Sequence, residues 1–458
     1  MGVLFVTMST PTTVGAAAAG GVDSPYAYLR LAVSVLLSTT GGVSMWSIAV
    51  VLPLVQADFG IDRADASLSY TAVMLGFVLG GPVMGRLSDR MGIVAPVALG
   101  AVMQGIGFAA ASQAASNWQF ALAHGVLIGV GGSASFGPVI ADISLWFLRR
   151  RGIAVAICSS GSYLAGAIWP LVIQPLAQSA GWRQTYLGIG VFCIAAMLPL
   201  ALALRRRKST AIGDRVASMR SGRPVLPTGL TPNRLQLLLM LAGVFCCVAM
   251  AMPQVHIVAY CADLGFGTAS GARMLSLMLG AGIISRLSFG LIVDRIGPLA
   301  ALLLSSSLQA ASLLLYFWAN GLTSLYVVTA LFGLVQGGIV LTYTLIVREY
   351  YPAAEAGTRI GLVLSATLAG MALGGWMSGA IFDATLSYRA AFLNGFGWNL
   401  LNIAIAGWLF VRLPRGKGAS RPTAWRVITP DPCAPDLGRA AAPSPRSSAR
   451  TAARLRCR

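Results

Sequence analysis

The sequence predicts an all-α integral membrane protein, with twelve transmembrane helices arranged as two six-helix bundles. Three observations carry that prediction. Charged residues make up only 10% of the chain against 56% hydrophobic, and mean hydropathy is +0.75, a balance outside the range of water-soluble domains. Twelve apolar runs, each near the length of about 20 residues that a helix needs to cross a bilayer, lie between Tyr28 and Val411. A polar element of the form G-x-x-x-D-R-x-G occurs twice, as GRLSDRMG from Gly85 to Gly92 and as GLIVDRIG from Gly290 to Gly297.

The apolar runs begin near residues 30, 67, 93, 119, 153, 186, 236, 271, 298, 322, 358 and 389. Between the sixth and seventh lies RRRKSTAIGDRVASMRSGRPVLPTGLTPNR, a basic, Pro-containing connector that leaves six runs on either side. The predicted organisation is an N-terminal bundle over residues 29–204, a linker over 205–234 and a C-terminal bundle over 235–412. Residues 1–28 and 413–458 read as disordered flanks; the tail is rich in Ala, Pro and Arg, too poor in apolar surface to order itself. The first 28 residues lack a basic start and a long apolar stretch, so no cleaved signal peptide is expected, and Met8 competes with Met1 as the start.

Arg63, Arg183, Arg273 and Arg389 fall in the odd-numbered loops, whereas the other Lys and Arg, Arg286 apart, fall on the opposite side. Cytoplasmic loops retain positive charge during insertion, so both termini are predicted cytoplasmic and the membrane is the inner or plasma membrane. The net charge of +19 then marks the inner face, where anionic lipid headgroups are its counter-charge and no nucleic-acid partner is needed. Cys158, Cys193, Cys246, Cys247 and Cys261 lie in or beside spans and Cys433 and Cys457 in the tail, without metal-site or disulfide spacing. No span holds a catalytic triad, a metal constellation or a Walker-type loop, so neither an enzyme nor a cofactor is expected, and the chain is expected to work as a monomer.

The two D-R elements each follow the second span of a half, and their separation is half the spanning core, which reads as an internal repeat. A similar offset relates LWFLRRRGIAVAICSSGSYLAGAIWP to VREYYPAAEAGTRIGLVLSATLAGMALGGW; each ends in a Gly- and Ala-rich helix whose small residues let neighbouring backbones approach and slide. Twelve spans, both ends inside, a basic central loop and the paired elements together resemble the major facilitator superfamily over residues 28–412. The resemblance implies alternating access between two bundles, with Asp89 and Arg90 in one half and Asp294 and Arg295 in the other as cytoplasmic charge latches. Asp142, at the inner end of the fourth span, is the expected partner of Arg86 or Arg90.

Arg286 stands eight residues before Asp294 inside an apolar run, so its backbone lies roughly 12 Å from the inner helix end. An arginine near the bilayer centre costs at least about 2.5 to 3.5 kcal/mol and is expected to face a polar cavity with a partner. All 14 acidic residues fall in loops, tails or span ends, so no carboxylate shares its depth. An unpaired guanidinium complements an anionic substrate through two parallel charge-assisted hydrogen bonds. The competing expectation is a structural arginine bonded to the carbonyls of broken helices.

LWFLRRRGIAVAICSSGSYLAGAIWPLV followed by GWRQTY, together with PQVHIVAYCADLG at the seventh span, resemble the monocarboxylate transporter-like branch, which includes oxalate/formate exchangers. Its members carry an arginine in the eighth span that binds substrate carboxylate, and Arg286 matches that position. Animal members have an acid before Gly-Gly-Trp and a lysine in the first span, where this chain reads TTGGVSMW; many have an aspartate one turn before the arginine, where this chain has Gly282. Oxalate exchangers add a lysine in the eleventh span, and none lies between Gly357 and Asp383. One cation suits one carboxylate, which favours a monocarboxylate over a dianion.

An empty carrier without a buried acid must occlude a bare charge, so exchange is expected to outrun net uptake. Proton symport would need His124, His256, Asp263 or Asp383 to load a proton, all towards outer span ends. Trp46, Tyr70, Trp169, Gln336, Tyr343, Asn399 and Asn402 are candidate walls for the rest of the substrate, or helix-to-helix ties. The predicted function is secondary active transport of small organic anions, monocarboxylates first, by exchange or proton symport. The alternatives are a proton-driven exporter of larger or drug-like compounds, against which a buried base counts, and a transporter-like receptor, favoured only by the basic tail.

Overall fold

The computed structural model describes residues 23–147, 150–206, 230–319 and 321–412. The tail with Cys433 and Cys457, both alternative starts and most of the linker lie outside the described residues.

Each apolar run forms a helix, and most helices extend beyond the run because the flanking polar residues also take helical backbone. In order they are α1 Pro25–Phe59, α2 Arg63–Met91, α3 Val94–Ser112, α4 Asn117–Trp146, α5 Arg151–Ala180, α6 Trp182–Ala203, α7 Pro232–Asp263, α8 Gly267–Ile296, α9 Pro298–Leu315, α10 Leu322–Tyr350, α11 Ala353–Thr385 and α12 Tyr388–Arg412. The first eleven contain stretches long and apolar enough to span a membrane, and α12 adds 25 residues. Large side chains such as Leu79, Val191 and Leu291 stand exposed on the outer surface of the helices, as expected where lipid is the solvent. The buried cysteines 158, 193, 246, 247 and 261 are free thiols.

The internal repeat is visible in the backbone. Gly92 ends α2 at φ 82°, ψ 168° and Gly297 ends α8 at φ 84°, ψ 160°, a left-handed stop that an L side chain resists. In both copies the glycine N–H closes the helix at 2.8 Å, on Ser88 O and Val293 O respectively.

Within the first bundle α3 packs on α6 and α2 on α4; within the second, α7 packs on α11 and α12, and α8 on α10. The bundles meet chiefly along two seams, α2 against α11 and α5 against α8, with a smaller contact of the second half of α1 on α7. Four helices are interrupted part-way: α1 at Gly42, α4 around 134–136, α5 at Ser160 and α10 at Gly337 and Gly338. Backbone that leaves the helix at membrane depth is tolerated where protein or a polar cavity satisfies it, and three of these interruptions converge on the site below.

Candidate functional site

Arg286 lies on the face of α8 that meets α5 and is only 6% exposed. The interruption of α5 at Ser160 turns the Ser159 carbonyl outward, and Arg286 Nη1 donates to it at 2.7 Å. Its guanidinium carbon stands 4.8 Å from the centre of the Tyr163 ring, one turn further along α5. Nε has no partner, and none of the four described ion pairs includes Arg286. A broken-helix carbonyl thus holds one nitrogen, and among the described residues no acid pairs with the charge. Gly282, one turn before Arg286, is what makes room for the ring, since a Cβ there would come within 2.6 Å of two Tyr163 ring atoms.

A narrow cleft of about 10 Å³, room for little more than one water, lies next to this pair at the interruptions of α1, α4 and α5, walled by Met45, Trp46, Phe77 and Phe136. Its polar groups are already engaged: Ser38 Oγ donates to Ser135 O at 2.9 Å, and Trp46 Nε1 to Ser162 O at 3.0 Å. Ser162 Oγ donates to Ser159 O at 3.1 Å, so the cleft and Arg286 share one acceptor.

The other wall candidates divide into two groups. Trp169 Nε1 donates to Thr39 O at 2.8 Å, tying α5 to α1. Tyr343 donates to Asn402 Oδ1, Asn402 to Ser306 Oγ and Asn399 to Ser306 O, each at 2.8 Å, which closes a polar knot inside the second bundle. Gln336 Oε1 accepts from Gln254 at 2.8 Å, yet Gln336 Nε2 and Gln254 Oε1 have no partner. Tyr70, packed against Gly375 across the α2–α11 seam, has an unpartnered hydroxyl. Tyr70, Gln336 and Arg286 thus keep polar atoms unused, whereas Tyr343, Asn399 and Asn402 bond one another and Ser306.

At the end of the bundles away from the D-R loops, a second buried arginine has all three nitrogens engaged. Arg63, the first residue of α2, gives Nε to Gln56 at 2.6 Å, Nη1 to Asp263 at 3.1 Å and to Tyr388 at 2.5 Å, and Nη2 to Asp263 at 3.2 Å. The Phe382 ring lies 4.6 Å beneath the guanidinium. Asp383 of α11 accepts from the backbone N–H groups of Arg63 and Ala64 at 2.9 and 2.7 Å, taking over a cap that Asp62 does not supply and adding a negative charge at the positive end of a helix. His256 joins this network through Tyr388, 3.3 Å from Nδ1, with Nε2 2.8 Å from Gly375 O. Three of the proton-loading candidates, His256, Asp263 and Asp383, are gathered here. His124 is elsewhere, in an aromatic cluster of the first bundle, with both ring nitrogens engaged by Phe120 O at 2.8 Å and Tyr186 at 3.2 Å.

One pairing is corrected. Asp142 bonds neither Arg86 nor Arg90; it takes a two-pronged bond from Arg30 at 2.7 and 2.9 Å. Arg30 sits in the second turn of α1, 2% exposed and over the Trp146 ring, closer to Asp142 than either loop arginine is. Arg86, Asp89, Arg90, Asp294 and Arg295 are solvent-exposed and take part in none of the described ion pairs. The sequence reading missed Arg63, Arg30 and Tyr163. The first two look like loop and span-edge charges, and an aromatic residue in an apolar run carries no signal of its own.

Two repeated six-helix bundles, packed together with a buried cation between them that no described ion pair includes, are the architecture of a membrane transporter. The chain belongs to the Major Facilitator Superfamily, whose model matches residues 34–358 and 289–439. It is 27% identical to an MFS-type transporter, opdF, of Penicillium oxalicum, over 76% of this chain and 83% of that one. It is 28% identical to monocarboxylate transporter 13 of Rattus norvegicus, over 69% of this chain and 72% of that one. Its fold matches the crystal structure of a bacterial homolog of the human lysosomal transporter Spinster at 15% identity, with a TM-score of 0.67 over 85% of this chain and 97% of that one. The protein is accordingly a multi-pass membrane transporter of a small-molecule substrate.

Proposed function

We propose that the cargo is a small organic anion, chiefly a monocarboxylate, held at Arg286 between the bundles and moved by alternating access. The observation that carries this reading is a guanidinium 94% buried, without an acidic partner and with Nε unused. Burying a charge without a counter-ion costs several kcal/mol, and an arriving carboxylate removes that cost by pairing with the planar edge. The likeness to monocarboxylate transporter 13 supports the same class of cargo. With both termini cytoplasmic in a cell membrane, the Arg63 network becomes the outer gate, closed here. Arg86, Asp89, Arg90, Asp142, Asp294 and Arg295 then lie at the inner face, where charges that no ion pair across the bundles holds leave that end free to part. Tyr70 and Gln336 complete the site with their unused polar atoms. Protons, where coupled, load at His256, Asp263 or Asp383 when the gate parts and removes Arg63 from them. A monomer contains every part of this cycle.

The test is counterflow in proteoliposomes with labelled acids from acetate to oxalate, with and without a pH gradient. Accumulation of a labelled monocarboxylate against an internal unlabelled pool, lost in Arg286→Ala and strongly reduced in Arg286→Lys, is the expected result. Uptake that is indifferent to Arg286 removes the site assignment, and equal rates with and without internal anion remove the exchange argument.

A further inference from the structure

Resting on the carboxylate reading of Arg286, we infer that Tyr163 is a substrate-contacting residue that orients the guanidinium and sets which of its edges the anion meets. Three observations converge on it. The ring covers one face of the guanidinium at 4.8 Å, and the Ser159 carbonyl fixes Nη1 at 2.7 Å. What remains is the Nε–Nη2 edge, a two-donor fork of the kind that takes a carboxylate side-on. Stacking on a π-face also stabilises the cation when it is out of water and does so without a negative charge, so the site stays one charge short until cargo arrives.

The second observation is the Tyr163 hydroxyl. Four other buried tyrosines spend theirs on protein, Tyr186 on His124, Tyr316 on Thr329, Tyr343 on Asn402 and Tyr388 within the Arg63 network, whereas Tyr70 at the other seam leaves its own unpartnered. No hydrogen bond of the Tyr163 hydroxyl is described, although the residue is only 9% exposed and lies in the seam between the bundles. The hydroxyl is not among the fully buried unpartnered polar atoms, so it is open to a substrate oxygen, and one such hydrogen bond contributes about 0.5 to 1.5 kcal/mol.

The third is Gly282. A Cβ at 282 would meet the ring at 2.6 Å, so a side chain there and the stacked ring exclude each other. The i, i+4 relation to Arg286 makes 282 the place from which α8 itself would otherwise furnish a partner for the arginine. Tyr163 takes that space from the opposite bundle, and the contact exists only while the α5–α8 seam is closed.

The experiment measures counterflow of labelled acetate by the full-length protein, as KM, maximal rate and the ratio of exchange to net flux. Tyr163→Phe keeps the ring and loses the hydroxyl; its KM is expected to rise about threefold to tenfold at unchanged maximal rate. Tyr163→Leu also loses the stacking, and its KM is expected to rise further, with the exchange ratio altered. Gly282→Ala reaches the same end by pushing the ring aside; alanine favours helix over glycine, so a loss there is not a loss of α8. Unchanged KM and exchange ratio in all three variants, with Arg286→Ala inactive, overturn this inference and leave the carboxylate reading standing. Acetate flux that survives Arg286→Ala overturns both.

Discussion

Arg63 and Arg286 are equally buried, each 6% exposed, and their surroundings are opposite. Arg63 has a carboxylate on two nitrogens, an amide on the third, a phenol and a ring face. Arg286 has one carbonyl and one ring face, with Nε unused. A buried cation with every nitrogen bonded ties parts of the protein together, and in Arg63 the parts are the two bundles. A buried cation left short is destabilising on its own and gains only when something else arrives. The contrast sets Arg63 apart as a joint and leaves Arg286 with the unfilled donors that the proposed anion site requires.

The comparison predicts a crossing of effects. Arg286→Ala is expected to lower carboxylate exchange about a hundredfold or more, the worth of two charge-assisted hydrogen bonds. Thermal stability in detergent should hold or rise in the same variant; a drop in melting temperature would place Arg286 with the joints. Arg63→Ala is expected to do the reverse, costing about 3 kcal/mol of stability, the low end for breaking a buried pair, because the Asp263 side chain is 34% exposed. Its exchange rate should change less than tenfold in KM, and a cysteine placed near Gln56 should become more reactive to a membrane-impermeant thiol reagent added on that side. Asp383→Asn, which keeps an acceptor for the α2 N-terminus but not its charge, is expected to cost about 1 kcal/mol. Unaltered melting of that variant would show that the cap contributes nothing to closure.

The spans, the repeat and Arg286 were legible in the sequence because each is a local signal: an apolar run of a set length, a motif with a glycine stop, a charge where hydrocarbon is expected. The pairing of Gly92 and Gly297 shows how closely the local signal tracked the backbone, down to matched dihedral angles. Arg63 was read as a loop charge because the connection before α2 is only three residues, Gly60 to Asp62, and because its partners Asp263 and Asp383 lie in the other half of the chain. Distance along the chain also hid Arg30, whose acceptor Asp142 is 112 residues away in α4 of the same bundle. Tyr343, Asn399 and Asn402 looked like cavity walls because their polarity is visible in the sequence and their mutual bonding is not. Tyr163 was invisible for a further reason: its place against Arg286 depends on the absence of a side chain at Gly282, on a helix of the opposite bundle.

The missing acid beside Arg286 also has an electrical consequence. On the proposed carboxylate reading, a monoanion aboard makes the central site neutral, and the membrane potential exerts little net force on the loaded carrier. The empty carrier retains a positive charge at that depth, and moving one charge through the full field is worth about 2.3 kcal/mol per 100 mV. Voltage is therefore expected to act on the unloaded return step alone, so clamping the potential should alter net flux and leave exchange unchanged.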